Sequence, residues 1–99
     1  MQASYEARFE REMGCTAAEL CAWLPGASRH APLRLFEQGA EIRLEGGPLS
    51  LRWEPLPPRR IALITLPRLK VEFDFGGIVE AERLAFMRHF DLYTQRGGG

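Results

Sequence analysis

The groups able to do covalent chemistry are few in this sequence: Cys15 and Cys21, Ser4, Ser28 and Ser50, and two histidines, His30 and His89. A nucleophile needs a base within hydrogen-bond reach, and an elbow such as Gly-x-Ser-x-Gly marks where a fold has built one. None of the serines sits in such an elbow. His30 follows Arg29 in a loop, and His89 falls on the edge of the final helix, seven positions after Glu82. Cys21 reads as a small buried hydrophobe, with no cationic neighbour in the local sequence to favour a thiolate. No catalytic residue is assigned, and the expected class is a non-catalytic binding module.

Metal and phosphate chemistry find equally little. The two histidines are 59 positions apart, the two cysteines six apart, and Asp74 and Asp91 stand alone, which fits no recurrent ligand spacing. No metal and no cofactor are expected. Gly76-Gly77 precedes a helix and could present free N–H groups to an anion, but Glu80 and Glu82 in the first turns would repel one. The basic run Pro57-Pro58-Arg59-Arg60, with Arg68, Lys70 and Trp53 nearby, is the best nucleic-acid candidate. Acidic residues interleave with its strand positions, and thirteen basic residues cancel thirteen acidic ones, so nucleic acid is not an expected partner.

Two anomalies remain. Arg83 falls in the middle of an apolar helical stripe. Either its stem packs and its guanidinium reaches the rim, or it points inward and demands a carboxylate or an anionic ligand. In the second case Arg83, Phe86, Phe90 and Trp53 would form the pocket of a small amphipathic anion. The other anomaly is Ile61 and Leu63, aliphatics expected on an otherwise charged outer sheet face. They are either covered by the N-terminal segment or a side loop, or are the interface to a partner, most simply a second copy in a homodimer.

The elements that must position these residues follow from periodicity. Residues 4–12 alternate Tyr5, Ala7 and Phe9 against Glu6, Arg8 and Glu10, the period of a half-buried strand, with a helix as competitor. Thr16 and Glu19 form a capping box, Cys15 and Leu20 a hydrophobic staple, and Leu20, Trp23 and Leu24 one apolar face of a helix that Pro25-Gly26 should end. Short PLRLFE, then AEIRLE, LSLRWE and a hairpin of IALITL and LKVEFDF read as strands. A turn between Gly46 and Gly47 would set Leu44 opposite Leu49, Ile42 opposite Leu51 and Ala40 opposite Trp53. PLPPRR reads as a stiff connection, and Pro67-Arg68 as the last turn. Ala62, Ile64 and Leu66 would then face inward with Leu69, Val71 and Phe73, leaving Ile61, Leu63 and Thr65 outside. The final helix should bury Val79, Phe86, Phe90 and Tyr93, with Met87 at the margin.

The expected fold class is α+β, with β-α-β4-α order and a curved antiparallel sheet packed against a C-terminal helix. This layout resembles that of the TATA-binding-protein half-domain and of helix-grip ligand carriers. Residues 1–94 are expected to form one domain, and 95–99 a flexible glycine-rich tail in which Arg96 suits the helix end and the glycines stop it. With no run of about 18 apolar residues and no apolar leader, no membrane partner is expected, and two reduced cysteines suggest a cytoplasmic location.

Overall fold

The computed structural model describes residues 4–95. In chain order it contains β1 (Arg8–Met13), α1 (Ala17–Ala27), β2 (Leu33–Phe36), β3 (Gly39–Leu44), β4 (Gly47–Ile61), β5 (Ile64–Asp74) and α2 (Glu80–Gln95). The strands form one antiparallel sheet in the order β1-β5-β4-β3-β2. This is the expected α+β class and the expected order of elements. The N-terminal alternation is a strand. α2 runs through Gln95, one residue into the expected tail, whose remainder, 96–99, lies outside the described residues.

α1 starts as its sequence dictates. The Thr16 hydroxyl accepts from the Glu19 N–H at 3.1 Å, and the Glu19 carboxylate accepts from the Thr16 N–H at 2.8 Å. The helix does not end at Pro25-Gly26 but continues to Ala27. Proline removes one donor, yet Leu24 and Ala27 are fully buried, and that packing holds the last turn. The chain then leaves through two successive left-handed residues, Arg29 (φ 55°) and His30 (φ 61°).

The β3–β4 hairpin differs from expectation by two residues. Ile42 pairs with Leu49, Ala40 with Leu51 and Leu44 with Gly47, around a tight turn of Glu45 and Gly46. A two-residue slip keeps every side chain on its intended face. Pro48 lands opposite Arg43, next to the closing pair, where the alternation of an antiparallel ladder asks no N–H of it. That is how the turn stays tight despite the proline.

One side of the sheet is apolar and carries both helices. Leu20 and Leu24 of α1 and Phe86, Met87 and Phe90 of α2 share a core with Leu49, Leu51, Trp53, Leu69, Val71 and Phe73. Phe90 meets Phe73 edge-on at 5.4 Å and Phe86 meets Phe75 at 5.9 Å. The buried stripe of α2 is rotated from the expected one: Met87 is fully buried, whereas Val79 precedes the helix and is 66 % exposed. The other side of the sheet is charged, with Lys70 bridging Glu54 at 3.3 Å and Arg8 near Glu72 at 3.6 Å.

One charged residue of β1 faces inward. Arg11 lies beside Phe73, its guanidinium 5.6 Å from the ring centre, and meets Asp91 of α2 at 2.6 Å. Tyr5 donates its hydroxyl to the same carboxylate at 3.0 Å. An edge strand and the C-terminal helix, 80 residues apart, are thus tied by one half-buried network.

Removing one member of such a network leaves the other charge without its partner, which costs about 2 kcal/mol. Asp91→Ala should therefore lower the melting temperature by roughly 10 °C for a chain of this size. Thermal unfolding followed by circular dichroism measures it, and a loss below about 2 °C would show that the tie contributes little.

Candidate functional site

β4 and β5 are longer than the rest of the sheet. β3 accompanies β4 only as far as Arg52, and β1 accompanies β5 only from Leu69 onward. The two strands therefore leave the body as a ribbon, closed by Ile61 opposite Ile64 and a turn of Ala62 (φ 54°) and Leu63. The expected turn at Pro67-Arg68 is instead continuous strand, with Arg68 opposite Leu56, and the expected stiff connection is the far half of β4.

Pro57 and Pro58 explain both the ribbon and its chemistry. Neither can donate to β5, and the pairing jumps from Leu56/Arg68 to Arg59/Leu66 across them. The extra residue is a bulge, the place where proline is tolerated in a sheet. A bulge also inverts the alternation. Before it, the even residues of β4 face outward with Lys70 and Glu72; after it, Arg59 and Ile61 do, opposite Leu66 and Ile64. The ion contacts agree with this: Glu12, on the outer face of β1, is 2.9 Å from Arg68 and 3.8 Å from Arg59. The Arg68 hydrogen bonds hold the Glu12 carboxyl below its ordinary range.

The aliphatic outer face is thus real but differently composed. Ile61 keeps its expected place, Ile64 and Leu66 join it, Thr65 moves to the opposite side, and Leu63 occupies the turn itself. Ile61, Leu63, Ile64 and Leu66 are 53, 102, 60 and 42 % exposed. Nothing in the described chain covers them. The edges of this ribbon cannot take a further strand easily, because Pro55, Pro57, Pro58 and Pro67 interrupt its donors.

The four residues expected to line a ligand pocket are not brought together around one. Arg83 is half-buried, but its Nε donates to the Tyr5 carbonyl at 2.9 Å and its Nη1 to the Ile78 carbonyl at 2.7 Å. Its charge is satisfied by backbone, a partner that neither sequence reading named. The fork ties the segment before β1 and the loop before α2 to the helix. Phe86 and Phe90 touch at 5.8 Å and are packed core residues. Phe86 also borders a cavity of about 210 Å³ with Arg29, Leu44 and His89, which Arg83 does not line. Trp53 borders a different depression, among Arg8, Arg52 and Lys70.

His89 has a structural partner as well: its Nε2 lies 2.9 Å from the Gly26 carbonyl, which places the ring proton on that nitrogen. Glu82, its expected neighbour, instead accepts from the Gly46 N–H at 3.2 Å. Among the described residues no three metal-ligating side chains gather, and no described helix is long and apolar enough to cross a membrane. No family model, curated protein or solved structure matches this chain.

Two outcomes are expected. Arg83→Ala should destabilise the chain by about 2 kcal/mol, and Arg83→Lys should recover little, since a single ammonium cannot reproduce a two-carbonyl fork. Urea titration of both variants checks this, and full recovery by lysine would show that charge alone matters. Burial, with a smaller push from Glu19, raises the Cys15 thiol to about 11. A raised folded pKa means that its contribution to stability is whole below the unfolded value of 9.0 and is lost as pH climbs through 11. Melting temperature should fall over that window less steeply in Cys15→Ala than in the parent, and iodoacetamide at neutral pH should modify Cys21 before Cys15.

Proposed function

We propose that this chain is a non-catalytic interaction module whose contact element is the β4–β5 ribbon. The observation that carries the reading is the aliphatic group at its far end, Ile61, Leu63, Ile64 and Leu66, held out from the body with no described residue over it. Isolated exposed aliphatics are ordinary, but four adjacent ones at the end of an ordered hairpin are the usual mark of a contact surface.

The core supports the same reading by its independence. Its buried residues end at Trp53 on β4 and Leu69 on β5, so the ribbon beyond contributes no fully buried side chain. An element that adds no fully buried side chain to the core, yet presents apolar surface, is suited to a contact. Proline along both strands selects docking by side chains over strand addition.

A photoreactive residue in place of Leu63, in the full chain within its own cells, tests the reading. A discrete adduct is expected at position 63, abolished by the added substitutions Ile61→Glu and Ile64→Glu, and absent when the probe replaces exposed Val79. No adduct at 63, or equal labelling at both positions, would overturn it. With residues 57–67 replaced by Asn-Gly, the melting temperature should stay within about 5 °C of the parent; a larger loss would make the ribbon part of the fold.

A further inference from the structure

We infer that the partner of the ribbon is an anionic lipid surface, into whose interfacial layer the ribbon tip inserts; this rests on the contact role proposed for the ribbon. The residues that close the hairpin, Ile61, Ala62, Leu63 and Ile64, are all apolar and all exposed. Ile61 and Ile64 share the outer face, and Leu63, in the turn itself, is completely accessible. None of these side chains carries a donor or an acceptor. A protein contact is centred on aromatic or arginine anchors and fixed by polar pairs, and the tip offers neither. Fluid acyl chains require neither, and they surround a protruding end on every side.

Charge selects the kind of surface. From Pro55 through Leu69 the chain has three arginines and no acid, a net charge of +3. Over the whole chain thirteen basic residues cancel thirteen acidic ones, so the remainder, with ten basic and thirteen acidic, carries −3. A neutral molecule therefore has a basic projection on an acidic body. Arg60, opposite Thr65, stands one rung behind the tip, and Arg59, opposite Leu66, stands two rungs behind, on the other face. At about 3.3 Å per residue the second rung lies ~7 Å behind Ile61 and Ile64, within the roughly 5–10 Å to which interfacial segments sink their apolar side. With the tip at that depth, one arginine on each face meets the phosphate layer. Arginines on both faces suit an end ringed by headgroups, whereas a contact on the aliphatic face alone would leave Arg60 out.

The length of the ribbon keeps the acidic body clear of such a surface. Glu12 reaches in as far as Arg68, at 2.9 Å, and Arg59, at 3.8 Å, while at the root Glu54 faces Lys70 and Glu72 faces Arg8. Arg60 has no ion pair among the described residues. From Trp53 the strand runs on to Ile61, which at about 3.3 Å per residue puts the tip some 26 Å from the root. That is about three times the Debye length of ~8 Å in physiological salt, so the body is screened while the tip is engaged. The same separation of charge favours approach tip first. A spanning segment is not needed for this, because the tip enters only the interface and its backbone arrives already paired, Ile61 with Ile64 and Arg60 with Thr65.

Co-sedimentation of the purified full chain with lipid vesicles is the test. Vesicles of phosphatidylcholine mixed with phosphatidylserine should bind it, and vesicles of phosphatidylcholine alone should bind it about tenfold less or weaker. Salt at about 1 M, where the Debye length falls to ~3 Å, should release most of the bound chain. Leu63→Asp and Arg60→Glu should each weaken binding about tenfold or more, and Arg60→Lys should keep most of it. Without vesicles these variants should melt within about 2 °C of the parent, since both side chains are exposed. Arg88→Glu, the same charge change at an exposed position of α2, should bind like the parent. A chain that does not bind the phosphatidylserine vesicles overturns the inference, as does binding unchanged by Leu63→Asp or Arg60→Glu, or equal binding to both kinds of vesicle. An adduct to a protein at position 63, in a chain that binds no vesicles, overturns it while leaving the ribbon reading standing.

Discussion

The pairing of β4 with β5 is the constraint on which the rest depends. These two strands form the middle of the sheet, and every other element is hung on one of them: β1 on β5, β3 and through it β2 on β4. The helices cover only the part of the pair that has neighbours. A chain this short buries a limited share of its surface, and the core here gathers Leu51, Trp53, Val71 and Phe73 beneath α1 and α2. Extending the pair beyond Trp53 and Leu69 adds backbone bonds without adding core, which is why the far end is ordered yet bare.

The interior is held at its margins by polar ties that the hydrophobic pattern does not announce. Arg11 brings a positive charge to the apolar side of the sheet, where Asp91 and Tyr5 meet it. Burial, followed by the same carboxylate, pushes the Tyr5 hydroxyl above its ordinary pKa. Arg83 does comparable work with carbonyl oxygens. Both arginines join α2 to segments distant in sequence, and both spend donors that a ligand would otherwise need. The space between α2 and the sheet is occupied by phenylalanines in edge-on and stacked contact, so the helix acts as a lid on a packed core.

How much of this was legible in the residues depended on whether the deciding contacts were local. The Thr16 capping box involves residues three apart and emerged as expected. Alternation placed Ile42, Leu49, Leu51, Val71 and Phe73 on the correct face even where the turn slipped by two, because period two survives an even shift. It failed at Pro57-Pro58. A proline pair reads as an interruption, yet these two cost the sheet one residue of register and no more, and a single extra residue exchanges inside for outside. Ile61 is turned outward by that extra residue, whereas Ile64 and Leu66 differ from expectation because β5 runs straight through Pro67-Arg68 and its regular alternation puts them on the face of Arg68 and Lys70. Arg11 carried no signal, since its partner lies 80 residues away. Arg83 was conspicuous for the right reason, a charge within an apolar stripe, but backbone carbonyls have no letter in a sequence, so its partners could not be named.

The prolines make a second contribution. A bare hairpin with free edges is a template on which further strands add without limit, and a cluster of Ile61, Leu63, Ile64 and Leu66 at its end would ordinarily worsen the hazard. Pro55, Pro57, Pro58 and Pro67 remove donors from both edges of the ribbon, so backbone pairing is closed to a visitor while the side chains stay presented. Contact through side chains depends on shape and charge at particular positions, whereas contact through an open edge accepts almost any extended chain. The proline pair that inverts the faces of β4, and so turns Ile61 outward beside Ile64 and Leu66, also restricts what can bind there. A surface that is apolar, ordered and edge-blocked has the properties of a selective contact rather than those of an unprotected sheet.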